Sequence, residues 1–460
     1  MIVKPRVTKA RGIIIFCTVS SEAVMAVLDQ ILKGLEKGRE LYYAIRGSED
    51  RPGEVNAGQP EDNSAGKSVL AFDDNVDFMK RLISGGYEGR FRMIYIDPPF
   101  FTKSKFNASV SITGSDGSRH RVRHLAFDDR FERSLEYYIE NMTVRIMLMR
   151  DLLADDGTLW IHLDWHSSHY IRIVLDELMG EKNFVNEIIW CYKSGGSGKK
   201  HFSRKHDTIL VYSKKSKYYI AIPEEKSYNR GFKPYNFRGV KEYCDDQGWY
   251  TLVNMKDVWN VDMVGRTSAE RNGYATQKPV ELMRRIIEAG SREGDLTGDF
   301  FCGSGSFAEA AEQAGRKWVI CDNEKLAVSL ARKRLINAGA EFDSYDVNIS
   351  GTEGRLDIEV KESLPLESGG RMLKIAVTDF VPEIDIGYIQ KNDRIYIENA
   401  LKDDPVQLID YIMLDNEYGE SFECRSIIED VTGELIIIAP GKVRLVAVDV
   451  FGREYDGGII

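Results

Sequence analysis

The order of apolar and polar positions divides the chain into an N-terminal helix, a mixed α/β region and a β-rich tail. Apolar residues recur at helical spacing from 22 to 45, and a segment rich in Gly, Pro, Asp, Glu and Asn follows from 47 to 66. From 67 to 345, short apolar runs alternate with amphipathic segments, a pattern typical of a parallel sheet covered by helices. After 350, short alternating segments separated by turn residues predict an all-β domain, which we interpret as a sandwich.

Within the α/β region the pattern predicts individual elements on both sides of an irregular middle segment. The predicted strands are 69–72, 91–96, 158–163, 186–192, 208–212, a run ending at 299, and 317–321; the predicted helices are 76–83, 135–153, 167–179, 279–289, 307–314 and 324–338. They form two parts of one sheet, residues 67–214 and 273–345. Residues 101–130 are predicted to be a loop, either a lid over a site or a surface insertion.

Two further regions depart from the α/β pattern. Residues 215–272 are rich in aromatic side chains without clear periodicity, and we predict an insert outside the sheet. The strands predicted for the tail, 350–460, are 373–377, 394–398, 407–414, 422–428, 435–438 and 443–450.

Composition narrows the class of protein. No apolar run approaches the roughly 18–20 residues of a membrane span. The basic N-terminus precedes only a short apolar run, 13–17, so we expect a cytoplasmic protein and no membrane partner. The six cysteines are scattered without a C-x-x-C pair, which argues against a zinc site and against a disulfide framework.

The net charge of -10 is unevenly distributed along the chain. Residues 351–460 carry 23 acidic and 11 basic residues, so residues 1–350 have a balance of +2. Overall acidity therefore does not argue against a polyanionic partner for the first 350 residues.

A glycine-rich turn follows the strand that ends at Asp299, in the sequence Asp299-Phe300-Phe301-Cys302-Gly303-Ser304-Gly305-Ser306. Glycines let a backbone approach a ligand, and the next helix presents free N–H groups. Asp322 ends the following predicted strand, where an acid can hold both hydroxyls of a ribose. Ala308 replaces the third glycine of the dinucleotide fingerprint, which favours S-adenosylmethionine over NAD. A glycine turn without a ligand is the alternative interpretation.

A second stretch, Asp97-Pro98-Pro99-Phe100, follows the strand 91–96. The prolines fix the backbone, so the Asp97 carboxylate and the Pro98 carbonyl would point to one place. Two acceptors together suit an amino group with two N–H donors, and an aromatic ring beside them suits a stacked base. A structural X-Pro-Pro turn is the alternative.

Basic residues concentrate on two predicted loops. Lys103 and Lys105 follow the Asp-Pro-Pro-Phe stretch, and a glycine-rich segment carries Lys199, Lys200, Arg204 and Lys205. Positive charge on such loops suits phosphate contacts, and we predict that these residues bind DNA. The alternative is an ordinary solvated loop surface.

Together these stretches resemble the β class of DNA amino-methyltransferases, the adenine-N6 group related to the Mod subunits of restriction–modification systems. In that class the catalytic motif precedes the cofactor motif, as Asp97 precedes Asp299 here. The chain departs from the family pattern at Phe300, where the family has Pro, and at Ser306, where it has Thr. The matching stretches are 72–75, 95–100, 160–170, 186–192, 206–214, 274–279, 299–306 and 318–335.

The resemblance implies a circularly permuted, Rossmann-like S-adenosylmethionine-dependent methyltransferase sheet with a C-terminal all-β domain. It implies transfer of a methyl group to adenine N6 in double-stranded DNA, by direct displacement on a flipped base. Asp97, Pro98, Pro99 and Phe100 would be catalytic; the cofactor would contact Asp74, Lys278, Asp299, Phe301, Cys302, Gly303, Ser304, Gly305, Asp322 and Asn323, with Asp322 on the ribose and Lys278 near the methionine end.

The resemblance also places target recognition in residues 215–272, and it allows a homodimer or a restriction subunit as a further partner. The starting Asp of the catalytic stretch favours adenine N6 over cytosine N4. Cytosine-N4 or RNA methylation, or a non-catalytic DNA-binding subunit of the same fold, are the alternatives. Residues 1–66 and the tail lie outside the resemblance, and we predict that the tail serves dimerisation or partner docking.

Overall fold

The computed structural model describes residues 21–48, 67–102, 104–113, 118–128, 134–193, 200–265, 267–346, 354–419 and 422–460. Its strands are β1 (Ser68–Phe72), β2 (Phe91–Ile96), β3 (Lys105–Thr113), β4 (Arg119–Asp128), β5 (Leu153–Leu163), β6 (Phe184–Cys191), β7 (His206–Ser213), β8 (Glu224–Tyr228), β9 (Glu242–Asp245), β10 (Gly248–Asn254), β11 (Val258–Asn260), β12 (Leu296–Asp299), β13 (Lys317–Asp322), β14 (Phe342–Asp346), β15 (Arg355–Pro365), β16 (Arg371–Val381), β17 (Ile409–Tyr418), β18 (Ser426–Ile428), β19 (Glu434–Ala439), β20 (Lys442–Asp449) and β21 (Glu454–Ile459). Its α-helices are α1 (Ser21–Gly47), α2 (Asn75–Leu82), α3 (Leu135–Leu152), α4 (Ser168–Leu175), α5 (Val280–Gly290), α6 (Ser306–Gln313), α7 (Lys325–Asn337) and α8 (Arg394–Asp403).

A nine-stranded sheet forms the centre of the molecule, in the order β11-β6-β7-β5-β2-β12-β13-β1-β14. β7 runs antiparallel to its neighbours, and the other pairs are parallel. β12 lies between β2 and β13, although β2 precedes it by about two hundred residues in the chain. The predicted α/β sheet is therefore confirmed, and its topology brings the Asp97 stretch and the glycine-rich stretch to neighbouring strands.

Helices cover both faces of the sheet because successive strand residues point to opposite sides. In β1, Val69 joins the core under α1, α2, α3 and α4, and Leu70 joins the core under α5, α6 and α7. The predicted N-terminal helix is confirmed as α1, which packs on α3 through Ile31 and Leu35. Residues 49–66 of the predicted linker lie outside the described residues. Among the helices that are described, none is long and apolar enough to cross a membrane.

The insert predicted at 215–272 contains its own three-stranded sheet, in the order β8-β10-β9. One part of that prediction is wrong, because β11 joins the central sheet beside β6, with Trp259 opposite Trp190. Trp259 is buried, and its side chain extends the apolar core across the last strand of the sheet. β11 has only three residues, too few for a periodic pattern to predict a strand.

The loop predicted at 101–130 is also wrong, because β3 and β4 pair there as a two-stranded antiparallel hairpin, which we call the ribbon. Its apolar side chains Ile112 and Val122 are buried in the core of the C-terminal region. The alternation of apolar and polar residues along 106–112 was the available signal, and the many Ser, Lys and Arg residues concealed it.

The C-terminal region consists of two antiparallel sheets, β15-β16-β19 and β18-β17-β20-β21, which share one apolar core. The strand predicted at 394–398 is wrong, because these residues begin α8. Ile397 and Ala400, three positions apart, are both buried, whereas Ile395 is exposed. This spacing of buried residues is that of a helix, because in a strand Ile395 and Ile397 would face the same side.

The C-terminal region packs on helix α7. Arg332 of α7 pairs with Glu454 at 2.5 Å, and Lys333 of the same helix pairs with Asp410 at 3.1 Å. Ser329 Oγ lies 3.1 Å from the hydroxyl of the buried Tyr411. These contacts are at least partly buried, so the C-terminal region supports α7, the helix that follows Asp322 at the end of β13.

Candidate active site

The two stretches singled out in the sequence meet at the carboxyl ends of adjacent strands. β12 pairs with β2 in parallel register, with Gly298 opposite Ile94, so Asp299 and Asp97 both lie at the carboxyl ends of these neighbouring strands. Between them opens a cavity of about 450 Å³. This is the edge at which open α/β sheets bind ligands.

Asp97 lines this cavity, and its two oxygens have different surroundings. Oδ2 contacts the ammonium group of Lys278, which lies just before α5. Oδ1 is buried and has no hydrogen-bond partner among the residues that the structure describes. The two side chains are only 16% and 12% exposed. An unpaired buried acceptor is costly, so Oδ1 is suited to a ligand that donates a hydrogen bond.

The residues after Asp97 are held by contacts with α3 and the sheet. The Tyr138 hydroxyl donates to the Pro99 carbonyl at 3.0 Å. The Phe100 ring lies nearly parallel to the buried His162 ring, with centroids 6.0 Å apart. Phe101 has a φ of 60°, which a non-glycine residue adopts only at a cost, and its ring stacks on Tyr138. The loop is therefore fixed in a strained conformation that keeps Phe100 beside the cavity.

Behind Phe100, His162 is completely buried and belongs to a polar chain. Its Nδ1 lies 3.1 Å from the Tyr95 hydroxyl, and its Nε2 lies 3.2 Å from Asp207. The Tyr192 hydroxyl donates to the other oxygen of Asp207 at 3.1 Å. Tyr95, Tyr192 and Asp207 all line the cavity, so this chain fixes one wall of it.

The glycine turn forms the opposite wall and needs both of its glycines. Gly303 has a φ of 49°, and a Cβ there would lie 3.1 Å from the Tyr274 ring. Gly305 has a φ of 76°, and its Cβ would lie 2.8 Å from that of Ala331 in α7. A side chain at either position would fill the cradle or displace α7.

Three carboxyl groups surround this turn. Asp299 accepts from the Phe301 N–H at 3.0 Å, and burial raises its pKa well above the usual value. Asp322 accepts from the N–H groups of Gly303 and Glu324 at 2.8 and 3.1 Å, and burial raises its pKa to about 6. Burial, together with the charge of Asp322, raises the pKa of Glu324 to about 7.

Most of the predicted site residues line the cavity. Those that do are Asp97, Pro98, Pro99, Phe100, Lys278, Asp299, Phe301, Cys302, Gly303, Ser304, Asp322 and Asn323. Gly305 instead begins α6 against Ala331. Asp74 caps α2, where it accepts from the Val76 N–H at 2.8 Å, and its neighbour Asn75 lines the cavity in its place.

Sequence reasoning missed several cavity residues that no short motif marks. Arg145 of α3 donates to Asn75 Oδ1 at 2.7 Å and to Asn141 Oδ1 at 3.1 Å, and all three line the cavity. A polar residue on an otherwise apolar helix face was the only available signal. Glu324 also lines the cavity, two residues beyond the predicted ribose acid.

The predicted DNA-binding residues that the structure describes lie outside the cavity. Lys105 begins the ribbon and is exposed, and the segment 200–205 enters β7 next to the cavity residue Asp207. Within that segment, which carries Lys200 and Lys205, the guanidinium of Arg204 lies 3.7 Å over the Trp165 ring, and Phe202 is 98% exposed. Lys103 and Lys199 lie outside the described residues.

Comparison with known proteins agrees with this geometry. Residues 91–333, more than half of the chain, match the model of the N6/N4 DNA methylase family. The Type II methyltransferase M.EcaI of Enterobacter cloacae is 26% identical over 393 residues, which cover 72% of this chain and 82% of that protein. The Type II methyltransferase M2.DpnII of Streptococcus pneumoniae is 27% identical over 277 residues, which cover 58% and 90%.

Among solved structures, the M1.HpyAVI–SAM complex is similar, at 18% identity and a TM-score of 0.37, covering 58% of this chain and 98% of that one. The family match spans Asp97, Lys278 and the glycine turn, all of which line the cavity. The chain belongs to the N6/N4 DNA methylase family.

Proposed function

We propose that this protein transfers a methyl group from S-adenosylmethionine to adenine N6 in duplex DNA. The observation that carries the proposal is the buried Oδ1 of Asp97, which has no hydrogen-bond partner among the described residues and belongs to a residue that lines a cavity bounded by a glycine turn. An exocyclic amino group is the donor that such an oxygen suits. Phe100 beside it offers a face on which a flipped base would stack.

The walls of the cavity fit the cofactor. Gly303 leaves space beside the cavity residue Tyr274 that a Cβ would fill, and the turn leads through Gly305 into α6. Asp322 already accepts two backbone N–H groups and so holds the turn, whereas the Glu324 carboxyl accepts no hydrogen bond from the described residues. Both acids line the cavity, and Glu324 would accept from a ribose hydroxyl beside Asp322. When bound, S-adenosylmethionine supplies an electrophilic methyl group on a sulfonium.

Asp97 would raise the reactivity of the amine. The lone pair of an adenine amino group is delocalised into the ring, which makes it a weak nucleophile. A hydrogen bond from the amine to Asp97 Oδ1 draws that hydrogen out of the ring plane and localises the lone pair on nitrogen. As the new C–N bond forms, the nitrogen must lose a proton, and Oδ1 is placed to receive it.

Lys278 would position Asp97 rather than touch the base. Its ammonium occupies Oδ2 and so leaves Oδ1 directed at the cavity. It also balances the charge of a carboxylate that is shielded from water. Catalysis then rests on positioning and electrostatics, without a covalent enzyme intermediate.

Two surfaces next to the cavity are suited to the DNA. The segment 200–205 presents Lys200, Arg204 and the exposed Phe202 within a few residues of the cavity residue Asp207. Cations there would contact phosphates, and the insert 215–272 would contribute to target recognition. Association with a second copy of the chain or with a restriction subunit stays a prediction.

Product analysis tests the proposal. Plasmid DNA from a host without its own methylation would be incubated with the protein and S-adenosylmethionine, then digested to nucleosides for mass spectrometry. We expect N6-methyladenine from the wild type and none from Asp97→Ala. N4-methylcytosine would assign the alternative base, which the same family name includes. Equal transfer by the two proteins would remove Asp97 from the reaction.

A further inference from the structure

The ribbon has two chemically different faces. Ala108, Ile112 and Val122 point to one side and are buried against α7 and the C-terminal core. The residues of the opposite face are polar or basic and mostly exposed: Asn107, Ser109, Ser111, Arg119, Arg121 and Arg123. The apolar face therefore fixes the ribbon to the protein and leaves the polar face to solvent.

One rung of the ribbon is joined to both the cavity wall and the C-terminal region. Ser109 and Arg123 are opposite each other in this rung. The Ser109 N–H donates to the carbonyl of Gly273, next to the cavity residue Tyr274. Arg123 forms two side-chain hydrogen bonds to Asp393, at 2.8 and 3.1 Å, and its carbonyl accepts from the Gln390 N–H at 2.9 Å. The polar face is therefore held at a fixed position relative to the active site.

Beyond this rung, two arginines are available for a ligand. Arg119 and Arg121 are exposed and form no ion pair or side-chain hydrogen bond with any residue in the described part of the chain. Arg121 lies opposite Ser111, whose small side chain leaves the guanidinium unobstructed. Two cations without partners on a rigid surface fit a polyanion by charge.

The dimensions of the ribbon match a DNA groove. A two-stranded ribbon is one of the elements that enter the major groove. Ser111 is six residues beyond Lys105, so at roughly 3.3 Å per residue the ribbon reaches about 20 Å from the rim of the cavity. At about 3.4 Å per base pair that distance spans about six base pairs.

We propose that the ribbon enters the major groove beside the flipped base and that Arg119 and Arg121 read base edges there. This inference rests on the proposed function, and it adds a recognition element outside the insert 215–272. Arginine binds guanine O6 and N7 with two hydrogen bonds, and Ser or Asn beside it can bind other base edges. A surface that contacted phosphates alone would need cations but not this mixture of Arg with short polar side chains. The C-terminal region then acts as the support of the ribbon.

The experiment determines the methylated sequence motif by sequencing plasmid DNA modified by each variant. Arg121→Ala and Arg119→Ala are both expected to relax the motif at one base position. Transfer to the wild-type motif falls by about 10- to 100-fold, as expected for one lost bidentate base contact. Affinity for S-adenosylmethionine stays unchanged. The double variant Lys402→Ala/Lys442→Ala, which removes two exposed cations elsewhere on the C-terminal region, keeps the wild-type motif.

Arg121→Lys distinguishes base reading from phosphate contact. Lysine keeps the charge but cannot make the paired hydrogen bonds, so base reading predicts a relaxed motif in this variant as well. An unchanged motif in all three arginine variants, or a uniform loss on every sequence, would overturn the inference. A wild-type protein that methylates no DNA would instead refute the proposed function, so the two failures are distinguishable.

Discussion

Replacing Lys278 by Met tests how the candidate site holds Asp97, the proposed catalytic carboxylate. Met is similar in length and removes only the charge and the donors. Oδ2 of Asp97 then loses a charge-assisted bond worth roughly 1.5–3 kcal/mol. If that bond orients Oδ1, the rate of methyl transfer falls by about 10- to 150-fold, because 1.4 kcal/mol corresponds to a factor of ten.

Stability should fall less than for a fully buried ion pair. Removing one partner of a fully buried pair costs roughly 3–5 kcal/mol. The side chains of Lys278 and Asp97 are 12% and 16% exposed, so we expect the free energy of unfolding to fall by about 3 kcal/mol or less. The assay is single-turnover transfer of a radiolabelled methyl group to saturating DNA, with thermal unfolding measured in parallel. Lys317→Met, which changes an exposed lysine at the start of β13, is the matched control. Wild-type transfer by Lys278→Met would refute the role assigned to this lysine.

Three further variants test separate parts of the site. Gly305→Ala should lower the free energy of unfolding by about 2–4 kcal/mol, since it combines a left-handed φ with a contact on Ala331; Gly89→Ala, with a left-handed φ but open space, should cost only about 1 kcal/mol in the same denaturant titration. Affinity for S-adenosylmethionine should rise from pH 6 to pH 8, because Glu324, with a pKa of about 7, becomes a carboxylate acceptor as the pH rises; calorimetry on Glu324→Gln should show a smaller rise, the remainder coming from Asp322, with a pKa of about 6. Phe202→Ala should weaken DNA binding about tenfold by fluorescence anisotropy through lost stacking, and equal affinity would remove that segment from the interface.

The sequence predicted the active site best where short motifs coincide with strand ends. The apolar run before Asp97 and the glycine turn after Asp299 each marked a strand end that lines the cavity, and the parallel pairing of β2 and β12 explains why they meet. The importance of Gly303 and Gly305 was predicted from their residue type alone. The structure shows why glycine is needed there, because Tyr274 and Ala331 lie close to where a Cβ would be. The fold class was predictable because a strand that is buried on both faces of a parallel sheet is a continuous apolar run in the sequence.

Contacts between distant segments were not predictable from local patterns. Lys278 lies 181 positions after Asp97, and nothing near either residue indicates their ion pair. Residues 394–398 have β-branched and aromatic side chains that favour a strand, but the burial of Ile397 and Ala400 on one face selects a helix. Support of the ribbon by Asp393 is likewise a property of the folded chain alone.

The hydrogen bond accepted by Asp97 Oδ1 is the central claim, and Asp97→Asn tests it most directly. The substitution keeps the shape of the side chain and removes its charge. We predict unchanged affinity for S-adenosylmethionine and a single-turnover rate of N6-methyladenine formation lower by about 100- to 1,000-fold, the effect of losing one preorganised electrostatic contact. Transfer at the wild-type rate, with the cofactor bound equally well, would contradict the account.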